Sequence, residues 1–165
     1  MINHKASSLI NEFQVANFQP LTSTMKDLDL WINPKPPWYK INIDGAVFAQ
    51  QQATGMGVII RDHKGRVMAV LSKLLHFSLG PLEAEAKALE EAVEFAWDVG
   101  IQDAHFERNS LLLSNVVQGT SIPLVAISNI VTGICHKVQA FRSVLMSHVR
   151  WVGNKTVHIL AQYAK

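Results

Sequence analysis

The sequence predicts an α/β domain built on a mixed five-stranded sheet with helices on both faces. Its 165 residues, 48% hydrophobic and 17% charged, suffice for one domain with a sizeable core. Between Tyr39 and Leu75 the apolar residues alternate in three successive segments, the mark of half-buried strands in an antiparallel meander. From Pro81 onward helical and strand patterns alternate, and right-handed crossovers between parallel strands then place helices on the sheet's faces.

The first strand covers residues 39–48, where Ile41, Ile43 and Ala46 bracket a polar face. Residues 55–62 and 66–75 form a hairpin across Asp62-His63-Lys64-Gly65, with Gly65 supplying the positive φ of a tight reversal. Pro81 opens a helix of strong helix formers running to about Asp98, with early acids at its positive end and Gly100 as its C′ residue. A fourth strand over residues 101–107 leads into the polar corner Arg108-Asn109-Ser110. A short helix at 111–118 is broken by Gly119-Thr120-Ser121. A longer amphipathic one at 124–141 repeats Val125, Ile127, Ile130, Ile134 and Val138 at helical spacing. A last strand at 141–152 ends at Gly153-Asn154, and residues 155–164 close the chain as a helix.

The segment Trp31 to Trp38 holds three prolines and must be extended, so residues 1–37 divide off as a tail and linker ahead of a domain at 38–165. Leu9, Ile10 and Phe13 give the tail some helical spacing, which suits a partner-binding helix or a remnant of a longer parent. The N-terminus lacks the pattern of a secretory signal, and one cysteine, Cys135, excludes an internal disulfide; both point to an intracellular, reducing compartment, with Cys135 buried. Apolar runs are far short of a membrane span. A net charge of +2 permits a polyanionic partner without requiring one.

With strands one, four and five as parallel neighbours, their carboxyl ends share the edge where open α/β sheets place ligands. Asp44 lies in the first strand at that edge, and a charge there is costly without a partner. It either caps a bulge at Gly45 or belongs to a site. Of the four tryptophans, Trp97 is expected in the core and Trp38 and Trp151 beside strands, with Trp151 the one candidate for stacking on bases.

The order and spacing of these pieces resemble the ribonuclease H-like domains of plant retroelement-derived and reverse-transcriptase-linked proteins. The resemblance covers nearly everything from Trp31 to Lys165. It rests on Trp38-Tyr39-Lys40-Ile41-Asn42-Ile43-Asp44-Gly45-Ala46, Gly57-Val58-Ile59-Ile60-Arg61-Asp62, Glu83-Ala84-Glu85-Ala86, Glu107-Arg108-Asn109-Ser110, His148-Val149 and Asn154-Lys155-Thr156-Val157-His158. It implies the strand order 3-2-1-4-5 and a nuclease that cuts the RNA strand of an RNA–DNA hybrid with two magnesium ions (Mg2+) held by carboxylates. By position Asp44 bridges the ions and Glu85 binds one, with Glu83 the rival two residues away, about 200° around the helix. Where the family carries an aspartate before Ser110, this chain has Asn109, and His158 stands at the fourth position.

Catalytic positions are thus Asp44, Glu85, Asn109 and His158, the first three also the metal set. Two charges that offset the repulsion of paired ions are missing. Glu107 shares a strand face with Asn109 but is set back by about 6–7 Å, too far to replace it. His148 is a proton shuttle or a strand-end histidine bonded to backbone. Arg108, Arg150, Asn154 and Lys155 are the candidates for nucleic-acid contact. The expectation is a hybrid-binding domain with weak or lost cleavage, and the alternative a catalytically dead nucleic-acid-binding or protein-interaction domain.

Overall fold

The computed structural model describes residues 32–165. The tail helix inferred from Leu9, Ile10 and Phe13, and Trp31, lie outside the described residues. Five strands form one sheet: β1 (Tyr39–Phe48), β2 (Ala53–Arg61), β3 (Val67–Leu75), β4 (Asp103–Arg108) and β5 (Ser143–His148). Their order is β3-β2-β1-β4-β5, antiparallel through the first three strands and parallel from β1 to β4 to β5. The helices are α1 (Pro81–Asp98), α2 (Leu111–Val117), α3 (Val125–Val138) and α4 (Trp151–Gln162). Among the described residues no helix is long and apolar enough to cross a membrane.

β1 is central and buried on both sides. Ile41 and Ile43 face the core under α1, while Asn42 and Asp44 face α4. α1 starts where Pro81 follows Gly80, whose N–H donates to Glu83 Oε2 at 2.6 Å, so this first-turn carboxylate satisfies the cap. Ala84, Ala88, Ala92 and Ala96 line its buried stripe and let it lie close to the sheet. It ends as the glycine predicts: Gly100, at φ +84°, donates to Trp97 O, and Ile101 N–H to Ala96 O, the two bonds of a Schellman motif. Gly65 likewise turns the β2–β3 hairpin at φ +77°.

Glycine does a different job on the other face. An atom added at Gly57 would lie 2.7 Å from Val157 O and 2.8 Å from Ala161 N, and one at Gly55 would lie 2.3 Å from Ala161 O. Bare backbone in β2 is therefore what lets α4 settle on the sheet. Asn154, buried within α4, donates to Ile43 O at 2.8 Å and pins the helix to β1.

Three expectations need correcting. The last strand stops at His148, because its partner β4 stops at Arg108. Beyond that pairing the apolar run through Val149 and Trp151 turns into α4, four residues earlier than the pattern suggested. Gly153 lies inside that helix, where a Cβ would crowd Val149 Cγ2 at 2.7 Å. Trp97 is 45% exposed, packed edge-on against Phe141 with ring centroids 5.5 Å apart. The β1–β2 register runs unbroken through Asp44↔Gly57 and Gly45↔Met56, so no bulge at Gly45 accounts for Asp44.

The parallel pair β4–β5 is clamped at its start by Arg142, whose Nε donates to Asp103 Oδ1 at 3.0 Å. That bond holds the Asp103 carboxyl below its ordinary range. A depressed folded pKa means stabilisation present above the ordinary value near 3.8 and lost as pH falls through the folded value. Because Arg142 is mostly exposed, Arg142→Gln is expected to cost little at neutral pH, and less still in acid once pH falls through the folded value of Asp103. Urea unfolding of both chains at the two pH values checks this; an undiminished difference at the acid end would contradict it.

Candidate active site

Asp44 is 2% exposed, and its Oδ2 lies 2.7 Å from His158 Nδ1 on α4. Glu85 reaches the same place from the first turns of α1. Gly45 makes this possible: a Cβ there would lie 2.8 Å from Ala84 O and 3.2 Å from Glu85 N, so only glycine lets α1 come this close to β1. The Gly45 N–H faces Glu85 Oε1 at 3.4 Å, and Glu85 Oε2 is buried without a hydrogen-bond partner. Glu83, the rival, is occupied at the helix cap.

The two carboxyls sit in one desolvated place. Burial raises the Asp44 carboxyl above its ordinary value, with hydrogen bonding to His158 working against it. Burial first, and the Asp44 charge second, push Glu85 up to about 8. Asn109 follows the end of β4 with its Oδ1 buried and unpartnered, and its backbone O is bonded to His148 Nε2 at 3.2 Å. His148 is thus a strand-end histidine held by backbone.

Arg108 overturns an expectation. Proposed for phosphate contact, it is fully buried, with Nη2 3.5 Å from Leu113 O and Nε and Nη1 unpartnered. Burial lowers it to about 10. The strand period explains this: Ala104, Phe106 and Arg108 share one face of β4, and that face is the core. Asn154 is also out of a ligand's reach, 1% exposed and bonded to Ile43 O. Arg150 and Lys155 are exposed, with Lys155 Nζ 5.8 Å above the ring of half-exposed Trp151. That ring stands 6.2 Å from the ring of His158, so Trp151, Lys155 and His158 form one rim beside Asp44.

Sequence reasoning missed the polar network under this rim. Glu107 Oε1 pairs with Lys40 Nζ at 2.8 Å, and its Oε2 accepts from Asn42 Nδ2 at 3.1 Å. Arg61 Nη1 donates to Asn42 Oδ1 at 3.1 Å. Glu107 is thereby committed away from Asn109. The signal was available, since Lys40, Asn42 and Glu107 all carry polar residues into strands buried on both faces.

The two magnesium ions that the family resemblance implies meet a donor set that does not fit them. Asn109 is neutral, His158 takes one oxygen of Asp44, and a buried guanidinium stands near Glu85. Among the described residues no group of three or more His, Cys, Asp or Glu side chains is placed to hold a metal ion.

A family model described as reverse transcriptase-like matches residues 42–164. No curated protein matches the sequence. The structure is similar to RNase H1 from the halophilic archaeon Halobacterium salinarum, with a TM-score of 0.73 and 20% identity over 77% of this chain and 96% of that one. It is similar to LC11-RNase H1, isolated from compost and solved in complex with an RNA/DNA hybrid, with a TM-score of 0.69 and 21% identity over 76% of this chain and 94% of that one. The foamy viral protease-reverse transcriptase, also in complex with an RNA/DNA hybrid, aligns at a TM-score of 0.60 and 16% identity, over 90% of this chain and 22% of that one.

Proposed function

Since this chain belongs to the reverse transcriptase-like family and has the ribonuclease H fold, we propose that it binds RNA–DNA hybrid or a related nucleic acid and cleaves it weakly or not at all. The observation that carries the reading is the meeting of Asp44 and Glu85 at the carboxyl edge of β1, beside a rim of Trp151, Lys155 and His158. Two solved structures with this fold hold RNA/DNA hybrids, which supports the choice of ligand.

In this reading Lys155 and Arg150 meet backbone phosphates, and the exposed ring of Trp151 offers a stacking face. His158, hydrogen-bonded to Asp44, orients that carboxylate and holds a proton at Nδ1 when Asp44 is ionised. Glu85 holds its proton more firmly than an ordinary carboxyl does. Magnesium, where a relative carries it, supplies charge stabilisation for phosphodiester hydrolysis; the neutral Asn109 and the engaged Asp44 remove the means of holding it here.

The test is a binding titration with an RNA–DNA hybrid at two salt concentrations, alongside cleavage assays in magnesium and manganese. Affinity is expected to fall as salt rises, because phosphate contacts release counterions. Cleavage is expected to lag far behind a carboxylate-complete ribonuclease H. Asn109→Asp is expected to raise the remaining rate by no more than about tenfold, roughly 1.4 kcal/mol of barrier, with Asp44 still engaged by His158. Robust magnesium-dependent cleavage by the unmodified chain would overturn the reading. A protein-interaction role is the second reading, favoured by the exposed apolar side chains Leu111, Leu112, Ile122, Leu124 and Val125; absence of hybrid binding at low salt would turn the choice toward it.

A further inference from the structure

Beyond the rim, α4 has an exposed side along its whole length. The helix seats Asn154, Val157 and Ala161 against the sheet. Away from that side, at four-residue spacing, run Trp151, Lys155, Ile159 and Tyr163, all exposed, in a row that winds slowly across the helix. Trp151 is half-exposed, and Tyr163, the C-cap residue, is 79% exposed. At the helical rise their Cα atoms stand about 18 Å apart along the axis.

A lone exposed aromatic is ordinary; what distinguishes this face is its charge. Residues 151–165 contain no aspartate or glutamate, and neither does β2 or β3, two of the strands on which α4 lies. The third, β1, carries Asp44, which is buried and bonded to His158. The cations are Lys155, with Nζ 5.8 Å from the centre of the Trp151 ring, and Lys165, with Nζ 5.0 Å from the centre of the Phe48 ring. Each ammonium rests over a ring, where a carboxylate would otherwise neutralise it.

Such a face fits a polyanion that also presents flat apolar rings. Bases paired in a duplex are stacked on one another, so a duplex offers this face its phosphates alone. An unpaired strand offers phosphates and bases together. Two rings about 18 Å apart along one helix suit bases a few nucleotides apart on one strand, whereas a blunt duplex end can cover just one of them.

We propose that the outer side of α4 is a track for single-stranded nucleic acid, with Trp151 and Tyr163 stacking on unpaired bases and Lys155 and Lys165 meeting phosphates. The Trp151 ring stands 6.2 Å from that of His158, so the track leads away from the Asp44–Glu85 edge, and a hybrid with a single-stranded extension occupies both. This deepens the nucleic-acid reading of the site and rests on it in placing the duplex part at that edge.

The experiment follows fluorescein-labelled ligands by anisotropy, with the full chain in chelator so that nothing is cut. The probes are a single-stranded oligothymidylate, an abasic strand of the same length, and a blunt RNA–DNA hybrid of the same length. The unmodified chain is expected to bind oligothymidylate, more weakly as salt rises. Tyr163→Ala is expected to weaken that binding at least about fivefold, the lower end of what stacking on one ring contributes, while Tyr163→Phe retains it. Neither change is expected to alter affinity for the abasic strand or the blunt hybrid. Tyr163 is too exposed to carry the fold, and unchanged thermal unfolding of the variants checks that.

Equal loss with all three probes would overturn the proposal, as would indifference of oligothymidylate binding to Tyr163→Ala. No binding of oligothymidylate at low salt would overturn it too, and would assign the exposed row to a protein partner. Hybrid binding without Tyr163-dependent binding of the single strand sinks the track and leaves the hybrid reading standing. Tyr163-dependent binding of the strand with no binding of the hybrid does the reverse.

Discussion

Gly57→Ala is expected to lower the unfolding free energy by about 3 kcal/mol, at the upper end of what overpacking costs. The added methyl would lie 2.7 Å from Val157 O, 2.8 Å from Ala161 N and 3.3 Å from Ala161 Cα. All three are backbone atoms of α4, so no rotamer change relieves them and the helix itself must lift. Lifting α4 stretches the Asn154 bond to Ile43 O and draws His158 away from Asp44. For a chain of this size the loss corresponds to a melting point lower by about 6–12 °C. Gly133→Ala is the control. There the nearest atom to the added carbon is Glu90 Oε1 on α1 at 3.5 Å, the end of a flexible side chain and an ordinary contact. In a helix interior the same change is expected to stabilise by about 0.5–1 kcal/mol. Thermal unfolding of the two variants should therefore move in opposite directions; equal shifts would mean that α4 is not seated on bare backbone.

The fold was legible where local pattern and tertiary role coincide. Strand β1 has the expected bounds, 39–48, because β2 pairs with it from Lys40 to Phe48. Gly65 and Gly100 announce their turns because a positive φ is a local demand that glycine meets without strain. The last strand misled because its apolar run outlasts its partner: pairing ends at Arg108↔His148, and no local signal in Val149 or Trp151 reports where β4 stops. Gly55, Gly57 and Gly153 were silent for the same reason. Each is glycine on account of a neighbour that only the assembled structure brings near.

The candidate site shows the same division. Asp44 stood out because a charge in a central strand must be answered by something, and the structure answers it with His158 and Glu85. Arg108 did not stand out, although its parity was readable: the two-residue period sets it with Ala104 and Phe106 on the core face. The polar corner around it masked that parity, because Arg108-Asn109-Ser110 looks like solvent-exposed loop. Asn154 escaped for a related reason, since its helix begins four residues earlier than its pattern suggests and carries it inward to β1.

The pH dependence of stability tests the electrostatics of the site directly, in chelator so that no divalent ion contributes. Burial and the Asp44 charge raise the Glu85 carboxyl to about 8 in the folded chain, against an ordinary 4.5. A raised folded value means that the folded state holds the proton more firmly than the unfolded state does. The associated stabilisation is complete below about pH 4.5 and is lost as pH rises through about 8. Glu85→Gln removes the titration while keeping the shape. The two chains are expected to be nearly equal in stability at pH 4.5, with the variant the more stable by several kcal/mol at most near pH 8.5. Arg108, which favours the ionised form of Glu85, sets how far the gap falls short of that ceiling. The raised value of Asp44 acts in the same direction. Guanidinium unfolding across that range supplies the measurement. A gap of the opposite sign, with the unmodified chain gaining on the variant as pH rises, would mean that Arg108 overcomes both burial and the neighbouring charge and holds Glu85 ionised throughout.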